Sequence, residues 1–167
     1  ALAINAAWGY TGGANPYGYK GLGEISVFLF FGIVATTGSY FVQTESLNLE
    51  IFIIAIPMGS LACAILAINN LRDRAQDQIV GKRTLAVRLG DRGARRLYIA
   101  LLISAHIFAL LTFKPAALLT LLATPLTWSL ARGVSRGVNG GDLIPYLAKT
   151  GKLQLVFAIL FALGLAI

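Results

Sequence analysis

The chain has 167 residues, of which 57% are hydrophobic and only 13% charged, with a formal net charge of +7. A water-soluble domain carries charge on roughly a quarter of its positions, so this composition excludes an ordinary soluble globule and points to lipid as the solvent. The single cysteine, Cys63, excludes an internal disulfide and, set in an apolar run, reads as a small packing residue.

The first residues, ALAINAAWGY (1–10), are apolar and read as the tail of a membrane helix. They include no initiating Met and no positively charged leader, so a cleaved signal peptide is not expected. The expectation is instead the C-terminal part of a longer polypeptide. The loop that follows, YTGGANPYGYKGLGE (10–24), packs five glycines, three tyrosines and Lys20 into one short stretch. Glycines let a backbone approach a ligand closely, and tyrosines settle at a membrane interface. The loop therefore suits either an aromatic belt or the cover of a site, with Lys20 placed to meet an anion.

A helix needs about 20 mainly apolar residues to cross the hydrocarbon layer, because its backbone polar groups find no partner in lipid. Glu24–Val42, Leu49–Asn69, Ala94–Phe113 and Lys152–Ile167 meet that requirement fairly well, although the last is also short, and Pro115–Ala131 lies at its short end.

The second of these runs is followed by NNLRDRAQDQIVGKR (69–83). If its helix continues to about Ile79, Asn69, Asp73 and Asp77 fall at i, i+4 and i+8 on one face, with Asn70 three residues before Asp73. Oxygen donors in this pattern suit a hard cation such as Mg²⁺, which takes one or two carboxylates and shares the rest of its shell with substrate phosphate. Gly81 offers the helix stop, and Lys82 and Arg83 then stand as anion partners. The same residues also suit a solvated helix end, with Arg72, Asp73, Arg74 and Asp77 in local ion pairs. A phosphate loop of the Walker type is excluded, since Gln76 stands where its first glycine belongs.

Further along, His106 lies alone in an apolar segment and reads as a packing residue. The stretch RGVSRGVNGGDLIPYLAKTGK (132–152) reads as a polar loop with a short interfacial helix around Leu143–Leu147, capped by Asp142. If each apolar run crosses once, loops 11–23, 70–96 and 132–152 share one side and hold thirteen of the 14 lysines and arginines. The positive-inside rule makes that side cytoplasmic. The basic excess is thus topological, and nucleic-acid binding is not expected of it.

NNLRDRAQDQIVGKRTLAVRLGD (69–91) resembles the second aspartate-rich motif of the UbiA superfamily of intramembrane aromatic prenyltransferases. The first loop, Tyr10-Thr11-Gly12-Gly13 and Pro16 to Glu24, is similar to the same superfamily, in the branch that prenylates 1,4-dihydroxy-2-naphthoate for menaquinone. The resemblance implies an all-α polytopic membrane bundle, here about five complete membrane helices plus the end of another. It implies a bacterial plasma-membrane enzyme with its motif loops in the cytoplasm and no obligate protein partner. Its substrates would be polyprenyl diphosphate and 1,4-dihydroxy-2-naphthoate, with Mg²⁺ as cofactor. Asp73 and Asp77 would hold metal with Asn70, and Asn69 and Arg72 would support the substrate. Lys82 and Arg83 would neutralise the departing diphosphate, and Tyr17, Tyr19 and Lys20 would touch it. The superfamily's first aspartate-rich motif has no counterpart in residues 1–167, which would be the C-terminal part of one prenyltransferase domain.

Two other readings stand beside this one: a superfamily member acting on a 4-hydroxybenzoate, haem or chlorophyll-type acceptor, and a non-catalytic membrane transporter or subunit. With half of the implied metal site missing, the 167 residues alone are expected to lack prenyl transfer. Product formation by the purified 167-residue chain would refute that.

Overall fold

The computed structural model describes residues 2–14 and 16–166; Ala1, Asn15 and Ile167, each within a stretch considered above, lie outside them. The described residues form helices and connecting turns without a strand. Five helical stretches are long and apolar enough to cross a membrane: Gly23–Thr44, Leu49–Ile79, Leu85–Leu110, Ala117–Ser135 and Gly140–Ala166. The expected all-α polytopic membrane fold is thereby met. Ahead of them stands α1 (Leu2–Thr11), and a single 3₁₀ turn, Tyr17–Lys20, lies in the glycine-rich loop.

The first span begins as α2 (Gly23–Val27), widens into π-helical turns over Phe28–Val34, and finishes as α3 (Ala35–Thr44). It packs along α4 (Leu49–Ile79), whose first turn is capped by the Asn48 side chain accepting from Ile51 N–H at 3.0 Å. Small residues make this contact close. A Cβ on Gly32 would sit 2.5 Å from Gly59 Cα, and one on Gly59 would sit 2.8 Å from the Phe28 ring. Without a hydrophobic drive between helices in lipid, such close approach is what gives dispersion contact its strength.

α4 is the central element and meets the first span, α5 (Leu85–Leu110) and α7 (Ile144–Ala166). Leu61, Ile68, Tyr98, Leu102, Leu153 and Phe157 form the buried core among them. Side chains such as Ile103, Trp128, Leu155 and Ile159 are exposed on the outer surface, as a lipid-facing wall requires.

Three boundaries depart from expectation. α5 starts at Leu85 rather than Ala94, and Gly90 (φ 69°, ψ −179°) breaks it into two helical pieces. That backbone conformation is open essentially to glycine alone, and it kinks the short first piece, Leu85–Leu89, relative to the rest of the helix. The run from Pro115 is 3₁₀ to Ala123 and becomes α6 only over Thr124–Ser135. The last span begins near Gly140, so no separate interfacial helix forms at Leu143–Leu147. Asp142 falls inside a 3₁₀ turn that runs directly into α7, and Leu143 is fully buried. The apolar burial of Leu143 outweighs the polar character of its neighbours.

His106 has a partner after all: its Nε2 lies 2.9 Å from Thr127 Oγ1, and its ring meets Phe157 edge-on. Cys63 is buried and donates to the Glu24 backbone carbonyl at 3.0 Å.

Adding β-branched bulk at the closest helix contact should cost about 1–3 kcal/mol through overpacking. Gly32→Val is therefore expected to lower the melting temperature in detergent by several degrees. Gly38→Ala, where nothing lies within 4 Å of the added carbon and the residue is inside a helix, should not lower it.

Candidate functional site

Residues 69–79 contain neither glycine nor proline, and the helix of α4 runs through them without interruption. It stops at Gly81, whose φ of 78° places it in the left-handed region. Lys82 N–H then donates to Asp77 C=O at 2.8 Å and Gly81 N–H to Gln78 C=O at 3.3 Å, the paired bonds of a Schellman stop. This turn folds Lys82 back over the helix end. Its Nζ lies 3.3 Å from Asp77 Oδ1 and 4.8 Å from the centre of the Tyr19 ring.

A polar cleft of about 260 Å³ opens at this end. Asn69, Asn70, Asp73, Asp77 and Lys82 line it from the α4 side, and Tyr10, Thr11, Gly18 and Tyr19 from the other. Asp77 is buried, whereas Asp73 is partly open and held by Arg72 through two bonds of 2.7 Å. Asn69 Nδ2 reaches Asp73 Oδ2 at 3.5 Å, and Asn70 Nδ2 donates to Glu24 Oε1 at 3.0 Å. Each carboxylate of the motif thus has a cation beside it.

The glycine-rich loop is stitched to this end through backbone groups. Arg83 N–H donates to Tyr19 C=O at 2.8 Å, and the Arg88 guanidinium bridges Lys20 C=O (2.6 Å) and Arg83 C=O (3.0 Å). Gly21, with φ 78°, packs so close to Arg88 that a Cβ would lie 2.9 Å from Nε. Arg95 does the same for the third loop: paired with Asp91, it donates to Val134 C=O, Val138 C=O and Asn139 Oδ1. All three basic loops therefore gather at one end, while Lys114 pairs with Glu50 at the other, 3.1 Å apart.

Most of the candidate site residues converge. Asn69, Asn70, Asp73, Asp77, Tyr19 and Lys82 share the cleft, and Arg72 pairs with one of its carboxylates. Lys20 and Arg83 sit exposed and contribute backbone carbonyls to the loop tether, while their side chains stay outside the lining. Tyr17 turns the other way. Its hydroxyl donates to Ala6 C=O at 2.7 Å and lies 3.1 Å from Ser26 Oγ. It lines a separate apolar cavity of about 530 Å³ with Phe30, Phe31 and Val34.

Tyr10 borders both the polar cleft and the apolar cavity, and its ring meets that of Tyr17 edge-on at 5.5 Å. Its place is one that sequence reasoning missed, as are those of Thr84, which also lines the cleft, Glu24 and Arg88. Glu24 alone carried a visible signal, a carboxylate at the head of an apolar run. The other three are set by contacts between distant segments.

Asp73, Asp77 and the two asparagines offer only hard oxygen ligands, and no cluster of three or more His, Cys, Asp or Glu exists among the described residues. Two carboxylates with amide oxygens fit Mg²⁺ shared with substrate phosphate, and do not make an all-protein cage.

Fold and cleft together define an all-helical integral-membrane protein with a polar, carboxylate-lined cleft beside an apolar cavity. The chain belongs to the UbiA prenyltransferase family, whose model matches residues 1–139. It is 44% identical over 99% of its length to the 1,4-dihydroxy-2-naphthoate octaprenyltransferase of Mycobacterium tuberculosis, of which it covers 58%. The proteins of the same name from Haemophilus influenzae and Escherichia coli are 44% and 43% identical, over 99% and 98% of the chain and 56% and 55% of their own lengths. The chain spans little more than half the length of these curated relatives.

The Arg88 bridge predicts a local effect. Arg88→Ala should raise amide hydrogen exchange in residues 17–22 and leave exchange in the core of α4 unchanged.

Proposed function

We propose that these residues belong to a polyprenyltransferase that joins a polyprenyl diphosphate to 1,4-dihydroxy-2-naphthoate, with loss of the carboxylate, to give demethylmenaquinone. The observation that carries this reading is the arrangement of the two cavities. A polar cleft with two carboxylates and a lysine adjoins an apolar cavity, and Tyr10 stands between them. A substrate with a charged head and an isoprenoid tail matches that division. The naphthoate acceptor follows the names of the relatives. The excess of lysine and arginine in the loops at this end supports a cytoplasmic position for the cleft, in a bacterial plasma membrane.

The chain's own residues account for several parts of the reaction. Heterolysis of the allylic C–O bond moves its electron pair onto diphosphate and leaves an electron-poor allylic carbon for the ring to attack. Lys82 is paired to Asp77, and its ammonium can pair with a diphosphate oxygen as negative charge develops there. Arg72 is bound to Asp73 at the edge of the same cleft and stands ready for the same exchange. Mg²⁺ held by Asp73, Asp77 and the amide oxygen of Asn70, with Asn69 beside them, would add electrostatic stabilisation of the leaving group. Tyr17, Phe30 and Phe31 wall the apolar cavity, which takes the tail and keeps water from the reactive carbon. Tyr19 lies under Lys82 and holds its ammonium over the cleft. Lys20 and Arg83 add positive charge at the rim.

Replacing a group that stabilises developing charge lowers turnover on the order of 100-fold or more. With the chain in place of the matching residues of the Escherichia coli relative, Asp73→Asn and Asp77→Asn should each reduce demethylmenaquinone formation by that factor. Membrane insertion should be normal. Unchanged turnover in both variants would remove the two carboxylates from the reaction, absence of product from the unsubstituted chimaera would favour a non-catalytic protein, and preference for a 4-hydroxybenzoate acceptor would displace the naphthoate assignment.

A further inference from the structure

Glu24 opens the first span and is only 7% exposed among apolar helices. Removing a carboxylate from water is costly unless partners replace its hydration, and here they are few. Oε1 accepts one hydrogen bond from Asn70 Nδ2 at 3.0 Å, while Oε2 is buried without a partner among the described residues. None of the ion pairs among the described residues includes Glu24. An apolar side chain of this size would pack at the head of a membrane helix at lower cost. The single hydrogen bond of the Glu24 side chain goes to the aspartate motif.

Asn70 is itself nearly buried, 9% exposed, and lines the cleft with Asn69, Asp73 and Asp77. A carboxamide has a donor end and an acceptor end, whereas a carboxylate only accepts. Glu24 therefore draws the NH₂ of Asn70 toward itself and leaves the carbonyl oxygen as the end available to the cleft. Turned the other way, Asn70 would offer a donor to the two neighbouring carboxylates and no ligand to a cation.

We propose that Glu24 is a positioning residue that locks the Asn70 amide with its oxygen toward the cleft, giving the cation–diphosphate site a third protein oxygen beyond Asp73 and Asp77. This rests on the reading of the cleft given under Proposed function. Glu24 touches neither substrate nor metal and acts through Asn70.

The test uses the full polypeptide carrying these residues, purified in detergent and titrated with Mn²⁺ in the presence of inorganic diphosphate, with free Mn²⁺ followed by electron paramagnetic resonance. Glu24→Gln keeps the volume and removes the acceptor-only constraint. It is expected to weaken Mn²⁺ binding about tenfold, the scale seen when residues that orient metal ligands are changed. Adding Asn70→Asp to Glu24→Gln should restore the affinity, because the new amide then donates to a carboxylate that offers oxygen at both ends. Because the added carboxylate can bind Mn²⁺ by itself, Asn70→Asp alone is the reference: positioning predicts that Glu24→Gln costs nothing in that background, whereas a packing role predicts the same tenfold loss as in wild type. This comparison decides even where Glu24→Gln alone folds poorly: equal affinity of Asn70→Asp and the double variant supports the proposal, and a tenfold loss in the double variant overturns it. Undiminished binding in Glu24→Gln also overturns it. Asp77→Asn separates the two levels: loss there with normal binding in Glu24→Gln rejects only the positioning role, while undiminished binding in both rejects the cation site.

Discussion

The length of one helix governs the arrangement. α4 has 31 residues, about 46 Å at 1.5 Å per residue, and the hydrocarbon layer is only about 30 Å thick. A helix of that length that spans the layer once must carry part of itself beyond lipid. The unbroken helical run through residues 69–79 puts Asn69, Asp73 and Asp77 on the projecting part, aligned on one face. The Schellman stop at Gly81 then returns Lys82 onto that face. Carboxylates and cation are held on one rigid element and its cap, with little entropy left to lose when a ligand binds.

The cleft needs a second wall, which comes from a loop of low intrinsic order. Glycines at 18, 21 and 23 let it pack tightly, and its contacts with the motif end are largely main-chain carbonyls met by Arg83 N–H and Arg88. Backbone tethering leaves the Tyr19 side chain available to the cleft and that of Tyr17 to the apolar cavity. Two tyrosines two residues apart in a 3₁₀ turn therefore serve two different surroundings. Glu24 extends the same arrangement inward, where one buried carboxylate reaches Asn70 across the helix interface.

Several features were legible from residue order. Spacing along α4 placed the three polar residues on one face, since helical periodicity is local and nothing interrupts the run. The charge tally grouped the basic loops on one side, and the Arg88 and Arg95 bonds hold those loops together. Other features were hidden. The break at Gly90 depends on a backbone conformation that a glycine permits but does not demand. The early start of α7 depends on burial of Leu143 by other helices, which the polar residues around it disguised. Tyr17 looked like a partner for diphosphate, yet Ala6 and Ser26 take its hydroxyl on the far side of the loop.

By itself the sequence determined the membrane class, the approximate spans, their alternation and the oxygen-rich face of α4. Each of these follows from composition or from periodicity along a single segment. Tertiary structure alone decided that Tyr10 divides the polar cleft from an apolar cavity, that Lys20 and Arg83 serve as backbone tethers, and that Glu24 meets Asn70. Those outcomes join residues far apart in the chain, and their geometry comes from how closely the helices pack, with Gly32 against Gly59 as the clearest case.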